Sequence, residues 1–166
     1  HQMADFGLFG ATIPSEYGGL ELDNMTYARV IEELSRGWMS LAGIINSHLI
    51  CAKLISKFGS EEQKQRWLPS MATGELRGCF SLSEPDSGSD AGALRCQAKR
   101  DGDEWIINGS KMWITNGSLA DVALVWAKDE DGIVRGFLLE KGIEGFTSND
   151  IHGKLSCLLY TSDAAD

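Results

Sequence analysis

The spacing of apolar residues along this chain changes near residue 76. Before that point apolar residues recur every three or four positions, as in residues 27–34, which places them on one stripe of a helix. From about Leu76 onward the pattern has a period of two, which is typical of half-buried strands. The sequence therefore predicts the α+β class, with a helical region over residues 1–75 and an antiparallel β domain over residues 76–155.

Three local signals set the expected bounds of the helices. The Asp-Asn pair at 23–24 can cap a first amphipathic helix, and the apolar segment 38–58 supplies the partner helix that its stripe needs. Ser60 and Gln63 have the spacing of a capping box at the start of a further helix. Pro69 disfavours helical geometry at the residue before it, which predicts a break there.

Two turn signals predict hairpins in the second region. Asn-Gly-Ser at 108–110 separates two alternating segments, and Asn-Gly tolerates the positive φ of tight turns. The sequence Asp-Glu-Asp-Gly at 129–132 separates two more such segments. Together with a strand at 79–83, these hairpins predict one antiparallel sheet.

A predicted strand runs directly into a loop at residues 80–90, Phe-Ser-Leu-Ser-Glu-Pro-Asp-Ser-Gly-Ser-Asp. Pro85 removes a backbone donor and Gly88 frees the backbone, so the strand ends there. The hydroxyls of Ser87 and Ser89 and the amides around Gly88 can turn toward one point. Such a concavity binds anions, phosphate among them.

A second strand, Lys-Met-Trp-Ile-Thr-Asn at 111–116, carries an indole and a hydroxyl two residues apart. Strict alternation predicts that Trp113 and Thr115 lie on one face of this strand. A flat ring, a hydroxyl donor and a phosphate-binding loop together suit a flavin nucleotide. From the residues alone, an ordinary turn and a core tryptophan stay open as alternatives.

The string Phe-x-Leu-Ser-Glu-Pro-x-x-Gly-Ser-Asp followed by Trp-Ile-Thr-Asn resembles the paired flavin-binding signatures of the acyl-CoA dehydrogenase family, in the family's order and spacing. The similarity extends through residues 13–19, 58–63 and 135–142, and so covers nearly all of residues 6–155. The resemblance implies FAD as cofactor and an acyl-CoA thioester as substrate. A carboxylate would remove the proton alpha to the thioester, and the flavin would take a hydride from the beta carbon.

The resemblance also implies individual roles in this chain. The cofactor-binding residues that it implies are Phe80, Leu82, Ser83, Gly88, Ser89, Trp113, Ile114 and Thr115. Ser89 would also bind the substrate, Trp113 would cover one face of the flavin ring, and Thr115 would donate a hydrogen bond near flavin N5. The family's catalytic glutamate belongs to a C-terminal helical bundle that this chain does not contain, so no catalytic residue is predicted here.

Two other titratable residues have structural interpretations. Glu84 follows the first motif, where its carboxylate can accept hydrogen bonds that fix the turn. His48 lies in an apolar helical segment, which favours a hydrogen-bonded core histidine over a catalytic one.

Composition argues against several other classes of protein. The formal net charge is −9 and basic clusters are lacking, which argues against nucleic acid as a partner. The four cysteines lie far apart without Cys-x-x-Cys spacing, so no metal site is predicted and reduced thiols are expected. The longest apolar run, 38–55, is interrupted by polar residues, so it predicts a buried helix and no membrane span.

The sequence supports a different prediction at each end of the chain. Residue 1 is His and no leader precedes it, which indicates an internal fragment without a targeting segment. The family resemblance implies the cytoplasm for a bacterial parent and the mitochondrial matrix for a eukaryotic one. Residues 156–166 depart from the family pattern and are predicted to be a non-native tail without a functional role.

Within the family, residues 127–128 and 135–145 resemble the glutaryl-CoA dehydrogenase branch, which holds a terminal carboxylate with an arginine on its second helix. Ungapped counting places Ala42 at that position, which favours a plain aliphatic acyl chain. The full-length parent would be a homo-oligomer, a tetramer, that passes electrons to electron-transfer flavoprotein. The alternatives are a non-catalytic flavin or acyl-CoA binding module, a structural partner in an oligomer, and an acyl-CoA oxidase of the same fold.

Overall fold

The computed structural model describes residues 2–154 and the strand at 161–164. The chain divides into two compact units, residues 1–78 and residues 79–166. The first unit is helical and the second is built from strands, which confirms the predicted α+β class.

The first unit contains three α-helices: α1 (Gln2–Asp5), α2 (Asn24–Phe58) and α3 (Glu61–Thr73). Asp23 caps α2 as predicted, because its carboxylate accepts from the amides of Met25 at 2.9 Å and Thr26 at 3.1 Å. Trp38 interrupts α2 with φ −159° and ψ 105°. The segment therefore consists of two helical stretches, which join at the position where the sequence predicted the second helix to begin.

The start of α3 confirms the capping box, whereas its interior contradicts the predicted break. The Ser60 hydroxyl accepts from the amide of Gln63 at 3.2 Å, and the Gln63 side chain accepts from the amide of Ser60 at 2.9 Å. Pro69 lies inside the continuous helix. Pro69 is exposed, whereas Leu68 and Met71 on either side of it are fully buried, so packing holds the helix together across the lost hydrogen bond.

The core of the first unit lies between α2, α3 and the segment before α2. Its largest fully buried side chains are those of Ile13, Ile45, His48, Leu68 and Met71. By length and composition α2 could cross a membrane, but 44% of its most apolar window is buried inside the protein. The core helix of a soluble protein can be as long and as apolar as α2, so these two properties alone are weak evidence for a membrane span.

The described residues from Gly78 onward form eight strands in two sheets, so the prediction of one antiparallel sheet is wrong. The strands are β1 (Gly78–Ser81), β2 (Gln97–Asp101), β3 (Glu104–Asn108), β4 (Lys111–Thr115), β5 (Val122–Lys128), β6 (Val134–Glu140), β7 (Asn149–Asp150) and β8 (Thr161–Ala164). The first sheet has the order β1-β5-β2-β3, with β6 also paired to β5, and the second has the order β4-β8-β7. The contact between β2 and β5 is parallel, and the other contacts with a described register are antiparallel.

One of the two predicted hairpins is confirmed and the other is wrong. Strands β5 and β6 pair over their full length, from Val122 opposite Glu140 to Lys128 opposite Val134. Among the described residues β3 pairs with β2 instead of β4, through a two-residue turn at 102–103, and β4 pairs with β8. An Asp-Gly signal for that turn stands in the sequence at 101–102.

The second unit has its own apolar core. It consists of buried residues from β1, β2, β4, β5 and the loops between them: Cys79, Leu94, Cys96, Ala98, Ile114, Ala120, Ala123, Val125 and Ala127. The residues that β5 contributes to this core are small, Ala123, Val125 and Ala127, which lets neighbouring strands and loops approach it closely.

The segment 156–166, predicted to be a non-native tail, lies partly outside the described residues. Its strand β8 pairs antiparallel with β4 and with β7, so the backbone of these residues takes part in the smaller sheet. The origin of the tail stays a prediction.

Candidate functional site

The structure brings the two sequence motifs together. The amide of Met112 donates to the carbonyl of Ser83 at 2.9 Å. The Lys111 ammonium donates to the carbonyl of Leu82 at 3.1 Å. The segment that follows β1 therefore lies against the beginning of β4, and two of the residues predicted to bind the flavin, Ser83 and Trp113, come from neighbouring backbone segments.

The loop after Ser83 is fixed by its own hydrogen bonds. Glu84 and Ser87 exchange backbone hydrogen bonds of 2.8 and 3.2 Å, which closes a tight turn. The Ser87 hydroxyl donates to the carbonyl of Asp90 at 2.6 Å, so the hydroxyl is held within the loop. Gly88 and Ser89 are exposed, and a side chain on Gly88 would contact nothing within 4 Å. An incoming ligand can reach the backbone at these two residues.

The Glu84 carboxylate accepts hydrogen bonds, as predicted, but from groups outside the turn at 84–87. It accepts from the amide of Arg95 at 2.5 Å, from the amide of Cys96 at 3.0 Å and from the Lys111 ammonium at 2.7 Å. Burial opposes ionisation of Glu84, but these hydrogen bonds and the Lys111 charge outweigh it, so the pKa of this carboxyl lies below its ordinary value. A buried carboxylate with a lowered pKa, held by three donors that include an ammonium, is a weak base and a poor candidate for proton abstraction.

Strand β4 departs from the alternation that the sequence predicted. Its pairing with β8 shifts in register between Lys111 and Ile114, and Trp113 has φ +65°. Lys111 and Ile114, three residues apart, are both buried, whereas Trp113 is 53% exposed. The argument that placed Trp113 and Thr115 on one face by strict alternation therefore fails at this bulge.

The other predicted cofactor residues differ in how accessible they are. Phe80, Leu82, Ser83 and Thr115 are half-buried, and the Phe80 ring contacts the ring of Trp126 edge-on at a centroid distance of 6.2 Å. Ile114 as a whole residue is 2% exposed and belongs to the core. A ligand therefore has almost no access to Ile114, which its predicted role in cofactor binding would require.

Sequence reasoning gave no role to Lys111, which the structure places at the centre of the site. The Lys111 side chain is 3% exposed and the Glu84 side chain 4% exposed. A usable signal was present, because the second motif contains one charged residue, Lys111, and the first contains the acids Glu84, Asp86 and Asp90. A buried charge needs a partner, and two motifs predicted to be adjacent supply the pair.

His48 is a hydrogen-bonded core histidine, as predicted. It is fully buried, with Nε2 at 3.2 Å from the carbonyl of Phe9 and 3.1 Å from that of Met71. Its Nδ1 accepts from the amide of Gly78 at 3.0 Å. Both ring nitrogens are engaged, so His48 is not available for proton transfer to a ligand.

The remaining polar clusters do not compete with this site. No group of His, Cys, Asp or Glu in the part of the chain that the structure describes could hold a metal ion. Cys51, Cys79 and Cys96 are buried, and Cys157 lies outside the described residues. An open cleft of about 410 Å³ is lined by Arg100, Trp105, Asp129, Glu130, Asp131 and Arg135, none of which belongs to the two motifs.

Two family models account for most of the chain. The model of the acyl-CoA dehydrogenase N-terminal domain matches residues 1–75, and that of the middle domain matches residues 79–161. The chain belongs to the acyl-CoA dehydrogenase family. Its helical and β units therefore correspond to the first two domains of that family.

Relatives and solved structures agree with this assignment. The chain is 39% identical over 160 residues to a short-chain specific acyl-CoA dehydrogenase of Clostridium acetobutylicum, a match that covers 93% of this chain and 42% of the relative. It is 43% identical over 147 residues to the mitochondrial short-chain specific acyl-CoA dehydrogenase of Homo sapiens, covering 87% of this chain and 34% of the relative. The chain thus spans well under half the length of these relatives.

A solved structure shares the fold of nearly the whole chain. A glutaryl-CoA dehydrogenase from Mycobacterium smegmatis, in complex with FADH2, superposes with a TM-score of 0.94 at 42% sequence identity. The match covers 99% of this chain and 42% of that chain.

Proposed function

We propose that this chain is the N-terminal and middle part of an FAD-dependent acyl-CoA dehydrogenase, which oxidises the alpha-beta bond of an acyl-CoA thioester. The observation that carries the proposal is the 2.9 Å hydrogen bond from the Met112 amide to the Ser83 carbonyl, which joins the two flavin motifs. Family membership supports the same reaction.

The residues at this site fit a flavin. The exposed ring of Trp113 is a flat apolar surface suited to one face of an isoalloxazine, and Ser83 places a hydroxyl on the neighbouring segment. Gly88 and Ser89 offer accessible backbone to the pyrophosphate. When bound, FAD would accept the hydride that leaves the beta carbon of the substrate.

The chain's own contribution to the reaction is positioning and hydrogen bonding. Thr115 would donate to the flavin near N5, where negative charge grows as the flavin is reduced. Ser89 would contact both the cofactor and the acyl-CoA. The proton alpha to the thioester would be removed by a carboxylate outside residues 1–166, since Glu84, the buried acid of the first motif, is held in its ion pair with Lys111.

For the substrate we propose a plain aliphatic acyl-CoA. Ala42, which counting places where the glutaryl-CoA branch carries an arginine, is 5% exposed and has no charge to pair with a terminal carboxylate. The short-chain specificity named for the bacterial and human relatives favours the same class. The proposed parent is a tetramer that passes electrons to electron-transfer flavoprotein.

The test is anaerobic stopped-flow reduction of the flavin in a full-length version of the protein, with butyryl-CoA and glutaryl-CoA as substrates. We expect butyryl-CoA to bleach the visible absorbance of the flavin and glutaryl-CoA to do so much more slowly. Loss of one hydrogen bond to a developing charge costs about 1.5–3 kcal/mol, so Thr115→Val should slow reduction by about 10- to 100-fold. Ser83→Ala should behave similarly.

The matched control is Ser110→Ala, which removes a hydroxyl from the connection before β4. It should reduce at the parent rate. A full-length protein that binds FAD but is reduced by neither substrate would favour a binding module, and rapid reoxidation by oxygen would favour an oxidase. Parent-like reduction of Thr115→Val beside slow reduction of Ser110→Ala would contradict the assigned roles.

A further inference from the structure

The buried ion pair between Glu84 and Lys111 joins three separate backbone segments. Glu84 Oε1 accepts from Lys111 Nζ at 2.7 Å and from the Cys96 amide at 3.0 Å, and Oε2 accepts from the Arg95 amide at 2.5 Å. Lys111 Nζ also donates to the Leu82 carbonyl at 3.1 Å. The segment at 82–84, the segment at 95–96 and the start of β4 therefore meet at one carboxylate.

Stability alone does not require charges at this place. Two charged groups lose their hydration when they are buried, and an apolar pair of similar volume is often as stable or more so. An ion pair differs from an apolar pair because its hydrogen bonds are directional, and each one fixes the position of a particular backbone group. The groups fixed here are the Leu82 carbonyl and, through the next residue of β4, the Ser83 carbonyl bonded to the Met112 amide.

The pair also bears on the geometry of Trp113. A tryptophan with φ +65° is strained and persists only where its surroundings hold it on both sides. On one side Lys111 is anchored by Glu84, and on the other Ile114 is buried in the core at 2% exposure. Between these two anchors the bulge directs the Trp113 ring outward, where it is 53% exposed.

We propose that Glu84 and Lys111 are positioning residues of the flavin site: their ion pair holds the bulge of β4 against residues 82–83 and so sets the orientation of the Trp113 ring toward the cofactor. The inference rests on the proposed function. Neither side chain needs to touch the flavin, since both act through the backbone of the residues that do.

The test removes both charges at once, because a single substitution would leave one buried charge unpaired and could prevent folding. The variant is Glu84→Gln/Lys111→Met in the full-length protein and in the 166-residue chain. Its matched control is Asp129→Asn/Arg135→Met, which removes a second ion pair with a buried carboxylate, made by residues that belong to neither motif.

Two measurements separate positioning from general stability. Hydrogen exchange of the Met112 amide should quicken in the Glu84→Gln/Lys111→Met variant while that of Val125, paired with Phe137 across β5 and β6, stays at the parent rate. In the full-length protein the misplaced Trp113 ring should raise the FAD dissociation constant about tenfold and change the visible circular dichroism of the bound flavin. The control variant should change neither.

Unchanged exchange at Met112 overturns the inference, whether or not FAD binds. Parent-like FAD affinity and flavin dichroism in the double variant, or equal changes in the control variant, also overturn it. A parent protein without FAD affinity contradicts the proposed function instead, and the Met112 exchange in the 166-residue chain still decides whether the ion pair holds β4.

Discussion

His48 connects three parts of the first unit through one neutral ring. Its Nδ1 can accept from the Gly78 amide only when unprotonated, so the proton lies on Nε2, which donates toward the carbonyls of Phe9 and Met71. Protonation would place a second proton on Nδ1, where it would face the N–H of Gly78. The resulting positive charge would be fully buried. Burial accordingly lowers the pKa of His48 from 6.5 to about 4.

This shift predicts a pH dependence of stability. Above pH 6.5 the ring is neutral in both states and contributes no slope. Between 6.5 and about 4 the unfolded chain binds a proton that the native state does not, so the free energy of unfolding falls as pH falls, by about 3 kcal/mol in all. Urea unfolding of the 166-residue chain from about pH 7.5 to about pH 4 should show this loss.

A variant and a control isolate the contribution of His48. His48→Gln keeps a donor and an acceptor but does not titrate, so its free energy of unfolding should fall less over the same pH range. His152→Gln replaces an exposed histidine and should keep the parent's slope. A ring proton of His48 that titrates by NMR near pH 6.5 in the native state would contradict the prediction.

At the scale of elements, Gly109 shows why one turn signal was misleading. The Asn-Gly pattern is typical of a hairpin, yet β3 and β4 on either side pair with other strands among the described residues. Gly109 has φ +147°, and a Cβ on it would lie 2.8 Å from the Cα of Cys96. The glycine therefore allows the backbone to pass close to Cys96, which the local sequence does not reveal.

Two glycine substitutions distinguish close approach from backbone conformation. Gly132 also has positive φ, +76°, but a Cβ there would contact nothing within 4 Å. Gly132→Ala should cost about 1–2 kcal/mol of unfolding free energy, from conformation alone. Gly109→Ala adds overlap with the Cys96 backbone and should cost about 3 kcal/mol or more. If urea unfolding showed the same loss of unfolding free energy in both variants, the contact with Cys96 would make no contribution to stability.

The two motifs show how far sequence reasoning extends at this scale. It predicted that the motifs lie on adjacent strands, which is wrong, because β1 and β4 belong to different sheets. The segment after β1 nevertheless contacts β4 through the hydrogen bond from the Met112 amide to the Ser83 carbonyl. Sequence reasoning missed the bulge at Trp113, because alternation assumes one residue per pleat and the shift depends on the pairing of β4 with a distant strand. It also predicted a break at Pro69, because local sterics do not include the packing of Leu68 and Met71. Both features depend on tertiary contacts, which the local sequence does not show.

At the scale of the whole molecule, the two units have separate cores, and all the residues predicted to bind the flavin lie in the second unit. The Trp113 ring is 53% exposed, and Gly88 and Ser89 are exposed, so water has access to the surfaces predicted to bind the cofactor. The chain also covers only 42% of the Clostridium acetobutylicum relative and 34% of the human one. The remaining enclosure of the flavin, and the base, would come from outside residues 1–166.

We therefore expect the 166-residue polypeptide alone to bind FAD weakly and to show no acyl-CoA dehydrogenase turnover. Enclosure excludes water and strengthens each contact with the ring, so an open site loses both affinity and the setting for hydride transfer. Glu84 cannot substitute for the missing base, because its carboxylate is committed to Lys111 and to the amides of Arg95 and Cys96. The measurement is reduction of an artificial electron acceptor with butyryl-CoA and added FAD, with the full-length version as the positive control. Turnover by the polypeptide alone, above that of free FAD, would show that a base within residues 1–166 is sufficient.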